Sequence, residues 1–228
     1  MNYDWNWKLA EKEYKRAMEL NPNSALTYLY YSFLLIWQGR YEEAISNAKK
    51  SQELDPLPSY ISANACMSLL WGGYYDEAME TARMSVTMNP NHFYPHYVLG
   101  LTYSTKSMKE EAMKEYEKAV DLSGGIPYLM AVLTSIYYEL NKNDKAEKLL
   151  YSLKNRSGDE YIPSTSFYLI HIIRGDSDQA FEWLKRAINE HDSFVPWFID
   201  TPVEIQRIPD EPRFNELLKK TGLERMRK

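Results

Sequence analysis

Apolar residues recur along most of this chain at steps of three and four, the spacing that places them on one face of a helix. The first such stretch covers residues 5–20, where Leu9, Ala10, Tyr14, Ala17, Met18 and Leu20 share a face. Asp4 stands where an N-cap carboxylate would accept a bond from a first-turn amide, and Asn21-Pro22-Asn23 stops the helix. The same pattern then repeats in pairs. Residues 26–38 and 41–54 flank Gly39-Arg40, 59–71 and 75–88 flank Gly72-Gly73, and 93–105 and 108–122 form a third pair. A fourth pair, 128–140 and 144–154, turns at Asn141-Lys142-Asn143. After a polar loop over residues 155–161, the last pair is 164–174 and 177–190, turned at Gly175-Asp176. Helices of 11 to 16 residues joined, apart from the longer connection that holds residues 155–161, by two to five must pack antiparallel to their neighbours.

The pairs are in phase. Ala10, Ala44, Ala78, Ala112, Ala146 and Ala180 follow one another at intervals of 34 residues. A second ladder, Gly39, Gly73, Ser107, Asn141 and Gly175, runs five residues ahead of each alanine from the second on, at turns that suit a left-handed residue. Pro22, Pro56 and Pro90 begin a third ladder that lapses at Gly124. A fixed period in this range marks a stacked array whose units bury their apolar faces only against each other. The alanines fall early in every second helix, where close helix approach demands a small side chain. Ala17, Ser51, Ser85, Ala119 and Ala187, and likewise Ser32, Cys66 and Gly100, serve the same need. On this count the chain opens in the middle of a unit, as a half repeat over residues 1–24 followed by five helix pairs over 25–191.

Composition narrows the picture. The 228 residues are 44% hydrophobic and 14% aromatic, with 19 tyrosines, enough for a continuous core. A net charge of −5 and a pI near 5.5 leave no basic face for nucleic acid. No apolar run approaches membrane-spanning length and the N-terminus lacks the plan of a secretory signal, so neither membrane nor export is expected. The single cysteine, Cys66, has no partner for an internal disulfide, which fits a reducing compartment; cytoplasmic residence is the expectation.

The order of residues within the period resembles the tetratricopeptide repeat. The third pair carries His96, Leu99-Gly100, Tyr103, Ala112, Tyr116 and Ala119 at the family's positions. The first two keep Gly39-Arg40-Tyr41-Glu42-Glu43-Ala44 and Gly73-Tyr74-Tyr75-Asp76-Glu77-Ala78, while the last keeps Gly175, Ala180 and Ala187. The resemblance covers residues 1–191 and implies an all-α, right-handed superhelical solenoid of antiparallel helix pairs. The remainder, 192–228, is expected to be a C-terminal capping segment with a short helix. A narrower resemblance, in Tyr3-Asp4-Trp5-Asn6-Trp7 and in Glu211-Pro212-Arg213-Phe214, is to repeat regions at the C-terminus of prokaryotic multidomain signalling proteins.

The resemblance implies a protein-interaction scaffold whose inner face is lined by the first helix of each pair. Transferring the family's inward-pointing positions gives Leu26, Leu29, Phe33, Trp37, Tyr60, Asn64, Met67, Trp71, Tyr94, Tyr97, Leu101, Tyr128 and Tyr138 as candidate partner-contacting residues. Tyrosine and tryptophan offer rigid area with a hydrogen-bonding tip, which suits an extended or helical peptide. Each of these aromatics is equally consistent with a core position at helical spacing. The other reading is a regulatory or self-associating segment in which Trp5 and Leu9, on the open half repeat, meet a second copy. A grip on chaperone C-termini would need Lys, Asn and Arg where this chain has Leu29, Phe33, Tyr94 and Val98; only Asn64 fits.

Nothing points to catalysis. His92 and His96 are four apart, a spacing at which two imidazoles can share a metal, but Pro95 intervenes and no third ligand is near. His171 falls at an aromatic packing position, and acid pairs such as Glu42-Glu43 sit at helix N-termini where they complement the dipole. Cys66 reads as an inert buried thiol. No cofactor is expected. The apolar run Phe194, Val195, Trp197, Phe198, Ile199 and the helix pattern over 213–221 with Phe214, Leu217 and Leu218 have two readings. They cover the last repeat as a cap, the favoured role, or they fold back into the groove.

Overall fold

A computed structural model describes residues 6–56, 59–156, 160–198, 201–203 and 208–222. Every regular element among them is helical. Helix α1 (Trp7–Leu20) is followed by the pairs α2 (Ala25–Trp37) and α3 (Tyr41–Leu54), α4 (Ser59–Trp71) and α5 (Tyr75–Met88), and α6 (Phe93–Thr105) and α7 (Lys109–Leu122). Then come α8 (Pro127–Glu139) with α9 (Asn143–Arg156), α10 (Ser164–Ile173) with α11 (Ser177–Asn189), a 3-10 turn at Val195–Phe198, and α12 (Pro212–Lys219). The architecture is the expected solenoid: helices pair within each unit, each second helix meets the next first helix from α3 to α8, and α2, α4 and α6 lie side by side.

Local chemistry sets the boundaries. Helix α1 starts two residues later than the periodicity suggests, because Asn6 caps it, its side chain accepting from the Leu9 amide at 3.1 Å; Asp4 and Trp5 lie outside the described residues. Ser24 caps α2 in the same way. The Gly39 ladder has one conformation on all its rungs: φ is +69° at Gly39, +82° at Gly73, +59° at Ser107, +57° at Asn141 and +75° at Gly175. The residue after each rung donates its backbone N–H back to the carbonyl five residues earlier, as Arg40 does to Leu35 and Met108 to Tyr103, both at 2.9 Å. That bond satisfies a carbonyl left over at the helix end and fixes the direction of the turn. The turn recurs because the chain must reverse at the same angle in every unit.

The alanine ladder is buried on every rung, each flanked on its second helix by a narrow apolar stripe such as Ala112, Met113, Tyr116 and Ala119 on α7. First helices are different. In α8, ten consecutive residues from Tyr128 to Tyr137 are buried, as expected of a helix that is apolar all round. Such a helix must be covered on more sides than a pair partner and two neighbouring units supply. The extra cover is the C-terminal tail.

The chain leaves α11 through His191, also left-handed (φ +55°), and Asp192 donates its N–H to the Ala187 carbonyl at 2.8 Å. The tail then turns across the inner face before α12 returns to the last pair. There Phe214 meets Phe181 edge-on at 5.4 Å, and Arg213 reaches Asp178 and Ser177 at 2.5 and 2.6 Å. Beyond α12, the Thr221 carbonyl accepts from the Trp7 indole N–H at 2.9 Å. The tail therefore caps α11 and also ties the last helix pair to the first helix. Features of both expected readings are present: α12 lies on α11, and Phe194 and Trp197 before it lie against rings of the first helices.

Candidate functional site

The inner face is built from two layers of aromatic rings. The deeper one is a cage for Trp197, whose ring meets Phe33 at 5.1 Å, Trp37 at 5.2 Å and Trp71 at 5.5 Å, all edge-to-face. Edge-to-face pairs put the positive rim of one ring against the negative face of another. Phe33 and Trp37 are one turn apart on α2, and Trp71 ends α4, so two stacked first helices supply three walls. On one side of the cage Phe194 stacks flat on Tyr128 of α8, centroids 4.1 Å apart; on the other, fully buried Phe198 meets Tyr168 of α10 at 5.3 Å. Asp192 sets the direction of this strap. One of its carboxylate oxygens accepts from the Thr165 amide and hydroxyl at 3.0 and 2.8 Å, and the other accepts from the Phe194 amide at 3.0 Å. Because Pro163 at the start of α10 has no capping side chain, Asp192 supplies that cap from the tail, with a charge the helix N-terminus favours.

The second layer is a row of tyrosines near the N-terminal ends of the first helices. Tyr30 and Tyr60 hydroxyls lie 3.4 Å apart. Tyr60 packs on Tyr94 at 5.4 Å, Tyr94 on Tyr97 at 5.9 Å, and Tyr97 on Tyr128 at 6.1 Å. Asn64 ties the row together, its amide donating to the Tyr60 carbonyl at 2.7 Å and its side-chain oxygen accepting from the Tyr94 hydroxyl at 2.5 Å. Burial pushes the Tyr60 phenol up to about 12, with help from Tyr30, and holds Tyr94 and Tyr128 well above the ordinary tyrosine value. The row thus presents neutral hydroxyls. Exposure falls along it: Leu26 is 49% exposed, Tyr30 39% and Tyr60 36%, while Tyr94 is half-buried and Tyr97 and Tyr128 are buried.

The candidate residues therefore divide. Leu29 and Leu101 are fully enclosed core, and Met67 is buried beside them. Asn64 is buried and used inside the row. Phe33, Trp37 and Trp71 form the cage but are covered by the strap. Tyr138 is half-buried and engaged with its own unit, donating to Glu147 at 2.7 Å beneath the Arg174 guanidinium. Leu26, Tyr60 and the edge of Tyr94 remain at the surface. Leu9 is half exposed on α1, where the neighbouring Trp7 is engaged by the chain's own tail. Tyr30 was not among the candidates, nor was the strap with its anchor Asp192. The apolar run holding Pro196 was visible; where it goes was not.

Two of the histidines and the cysteine have structural employment. His92 caps α6 by accepting from the Tyr94 amide at 3.2 Å, and His96 is held between Glu115 at 2.6 Å and the Pro90 carbonyl at 2.9 Å. Cys66 is fully buried against the Ala78 carbonyl, and burial pushes its thiol up to about 12, far from nucleophilic. Among the described residues no group of three or more His, Cys, Asp or Glu side chains is placed to hold a metal, and no helix is long and apolar enough to cross a membrane. A cavity of about 540 Å³ lies away from the strap, between Lys154 of α9, Phe167 and His171 of α10, and Trp183 and Arg186 of α11.

Residues 95–125 match the family model of the tetratricopeptide repeat. No curated protein matches the sequence. Among solved structures, PilF of Pseudomonas aeruginosa is 20% identical, with a TM-score of 0.56 over 83% of this chain and 89% of that one. A thermophilic tetratricopeptide-repeat protein of Thermus thermophilus is 18% identical, with a TM-score of 0.59 over 68% and 84%. MamA of Desulfovibrio magneticus is 21% identical, with a TM-score of 0.53 over 68% and 88%. At these identities the likeness is one of fold.

Proposed function

We propose that this chain, a tetratricopeptide-repeat protein, is a non-catalytic scaffold that takes a segment of a partner protein along its inner side, across the tyrosine row of α2, α4 and α6. One observation carries this reading: Leu26, Tyr30 and Tyr60 are large, apolar or aromatic, adjacent on successive first helices, and a third to a half exposed, while the rings deeper along the same row are covered. Rigid rings with a polar tip suit recognition, because they bring area at little conformational cost. Helices α2, α4 and α6 carry no Asp, Glu, Lys or Arg, so the ligand is expected to contribute apolar or aromatic side chains and backbone polar groups.

The test is a peptide library displayed on phage and panned against the folded chain. Binders are expected to lose at least tenfold in affinity when Tyr30 and Tyr60 are both changed to alanine, a loss of about 1.4 kcal/mol or more. The same peptides should be indifferent to Tyr151→Ala, which removes a 70% exposed tyrosine on α9. Equal affinity for all three proteins would place the ligand surface elsewhere.

A further inference from the structure

We infer that the strap Phe194–Phe198 is a built-in occupant of the inner groove, displaced by a partner segment that carries two aromatic side chains three residues apart and a hydrogen-bond acceptor beside the second. This deepens the reading above by assigning regulation and ligand class to the floor of the same groove. Three observations support it. First, the strap holds the groove through its rings. The backbone N–H groups of Phe194 and Val195 are used by the Asp192 side chain and carbonyl, and that of Trp197 by the Phe194 carbonyl at 3.0 Å. Those donors close within the tail, so release breaks no ladder of bonds to α2, α4 or α8. Second, Phe194 and Trp197 are only half-buried, leaving edges from which a competitor can begin.

Third, the strap is an imperfect ligand for its own cage. Trp37 is 8% exposed and, among the described residues, its indole Nε1 has no hydrogen-bond partner. A buried donor without an acceptor is a standing cost, and a ligand that offers a carbonyl or carboxylate there gains what the strap forgoes, about tenfold in affinity for one recovered bond. The spacing comes from the strap itself, in which Phe194 and Trp197 fill the Tyr128 face and the three-ring cage. The contacts that hold Phe194 and Trp197 are ring on ring, so recognition rests on rings. Asp192 stays bonded to Thr165 on α10 when the strap leaves, which makes it the pivot.

The experiment uses the full chain and a fluorescent peptide of its own residues 192–199. A variant carrying Phe194→Ala and Trp197→Ala should bind this peptide at least tenfold more tightly than the wild type, and a peptide with its tryptophan changed to alanine should bind neither. A variant that keeps its circular dichroism and cooperative melt yet binds no better than wild type overturns the inference. If it still binds the rim-selected phage peptides, the scaffold reading survives that failure. Should the variant not fold, hydrogen exchange on the wild type decides: amides of Val195 and Trp197 should exchange through an opening at least tenfold more frequent than those of α2 and α4. Equal protection would make the strap a permanent part of the core.

Discussion

Gly100→Ala sets two known effects against each other at one atom. Gly100 lies in the interior of α6, where alanine is intrinsically better than glycine by about 1 kcal/mol. On helix propensity alone the substitution stabilises. The added Cβ, however, would stand 2.6 and 2.7 Å from the Cε1 and Cδ1 atoms of Tyr116, so the ring must retreat by about 1 Å to reach ordinary contact. It has little room. Tyr116 is buried, its hydroxyl is bonded to Ser104 at 3.2 Å, and its ring packs on Tyr97 at 6.2 Å. Overpacking of this kind costs about 1–3 kcal/mol, and here the obstacle is a rigid ring, so the upper half of that range applies. The expected net effect is a loss of about 1–2 kcal/mol in urea unfolding, with the slope unchanged. Tyr116→Leu, which removes the obstructing ring, should cost less in the Gly100→Ala background than alone, with a coupling of about 1 kcal/mol or more. A neutral or stabilising Gly100→Ala, or strict additivity of the pair, refutes the argument that this glycine is a packing requirement. Because Tyr97 leads on to Tyr128 and so to Phe194, the same shift should loosen the strap and raise binding of the residue 192–199 peptide.

Ser107→Gly should stabilise by about 1 kcal/mol in urea melts, since a residue with a Cβ pays about 1–2 kcal/mol in the left-handed region and glycine regains most of that after its greater chain entropy; Asn141→Gly should gain less, asparagine tolerating that region better. Glu11 joins α1 to the Gly39-Arg40 turn through Arg40 at 2.8 Å, and Arg40 together with Lys15, on α1 itself at 2.8 Å, holds its carboxyl down at about 2. A depressed carboxyl contributes stability that is present above its ordinary value of 4.5 and lost as pH falls toward 2. Glu11→Gln should therefore flatten the thermal-stability profile between those values, by about 1 kcal/mol at most once exposure to solvent is allowed for. Asp192→Ala, which uncaps α10 and frees the strap's upstream end, should cost about 2 kcal/mol and raise hydrogen exchange at Thr165 and Phe194 together; exchange rising at Thr165 alone would separate the cap from the strap.

The parts of the molecule that every unit shares could be read from the sequence, because a shared requirement appears as a recurring residue. The alanines recur because each second helix crosses its neighbours closely, and each rung of the Gly39 ladder is left-handed because each unit reverses the chain in the same way. Even Ser107, the rung least suited to that conformation, obeys it. Helix starts were less legible where the cap is not the obvious residue, as at Asn6. The groove was legible only in part. Counting from the alanines assigns Phe33, Trp37 and Trp71 to equivalent inner positions, yet nothing in the spacing says that Trp197, more than a hundred residues away, enters among them. A strap that pairs rings across such a distance leaves no periodic trace.

Tyr60, Tyr94 and Tyr128 make the consequence concrete. They occupy one repeat position on three successive first helices and are chemically identical, yet Tyr60 is exposed, Tyr94 half-buried and Tyr128 buried under Phe194. Repeat position alone gives all three one role, so the gradient must come from something outside the repeat. Its source is the direction of the tail, fixed at Asp192 so that Phe194 lands on α8 and Trp197 among α2 and α4. An array of equal units offers a ligand many equivalent registers; a tail that covers one end of the row and fills one cage removes most of them. What distinguishes Leu26, Tyr30 and Tyr60 as a surface is therefore written in the segment that breaks the period. Moving Asp192 or Trp197 by one residue should therefore change partner choice even with every repeat left as it is.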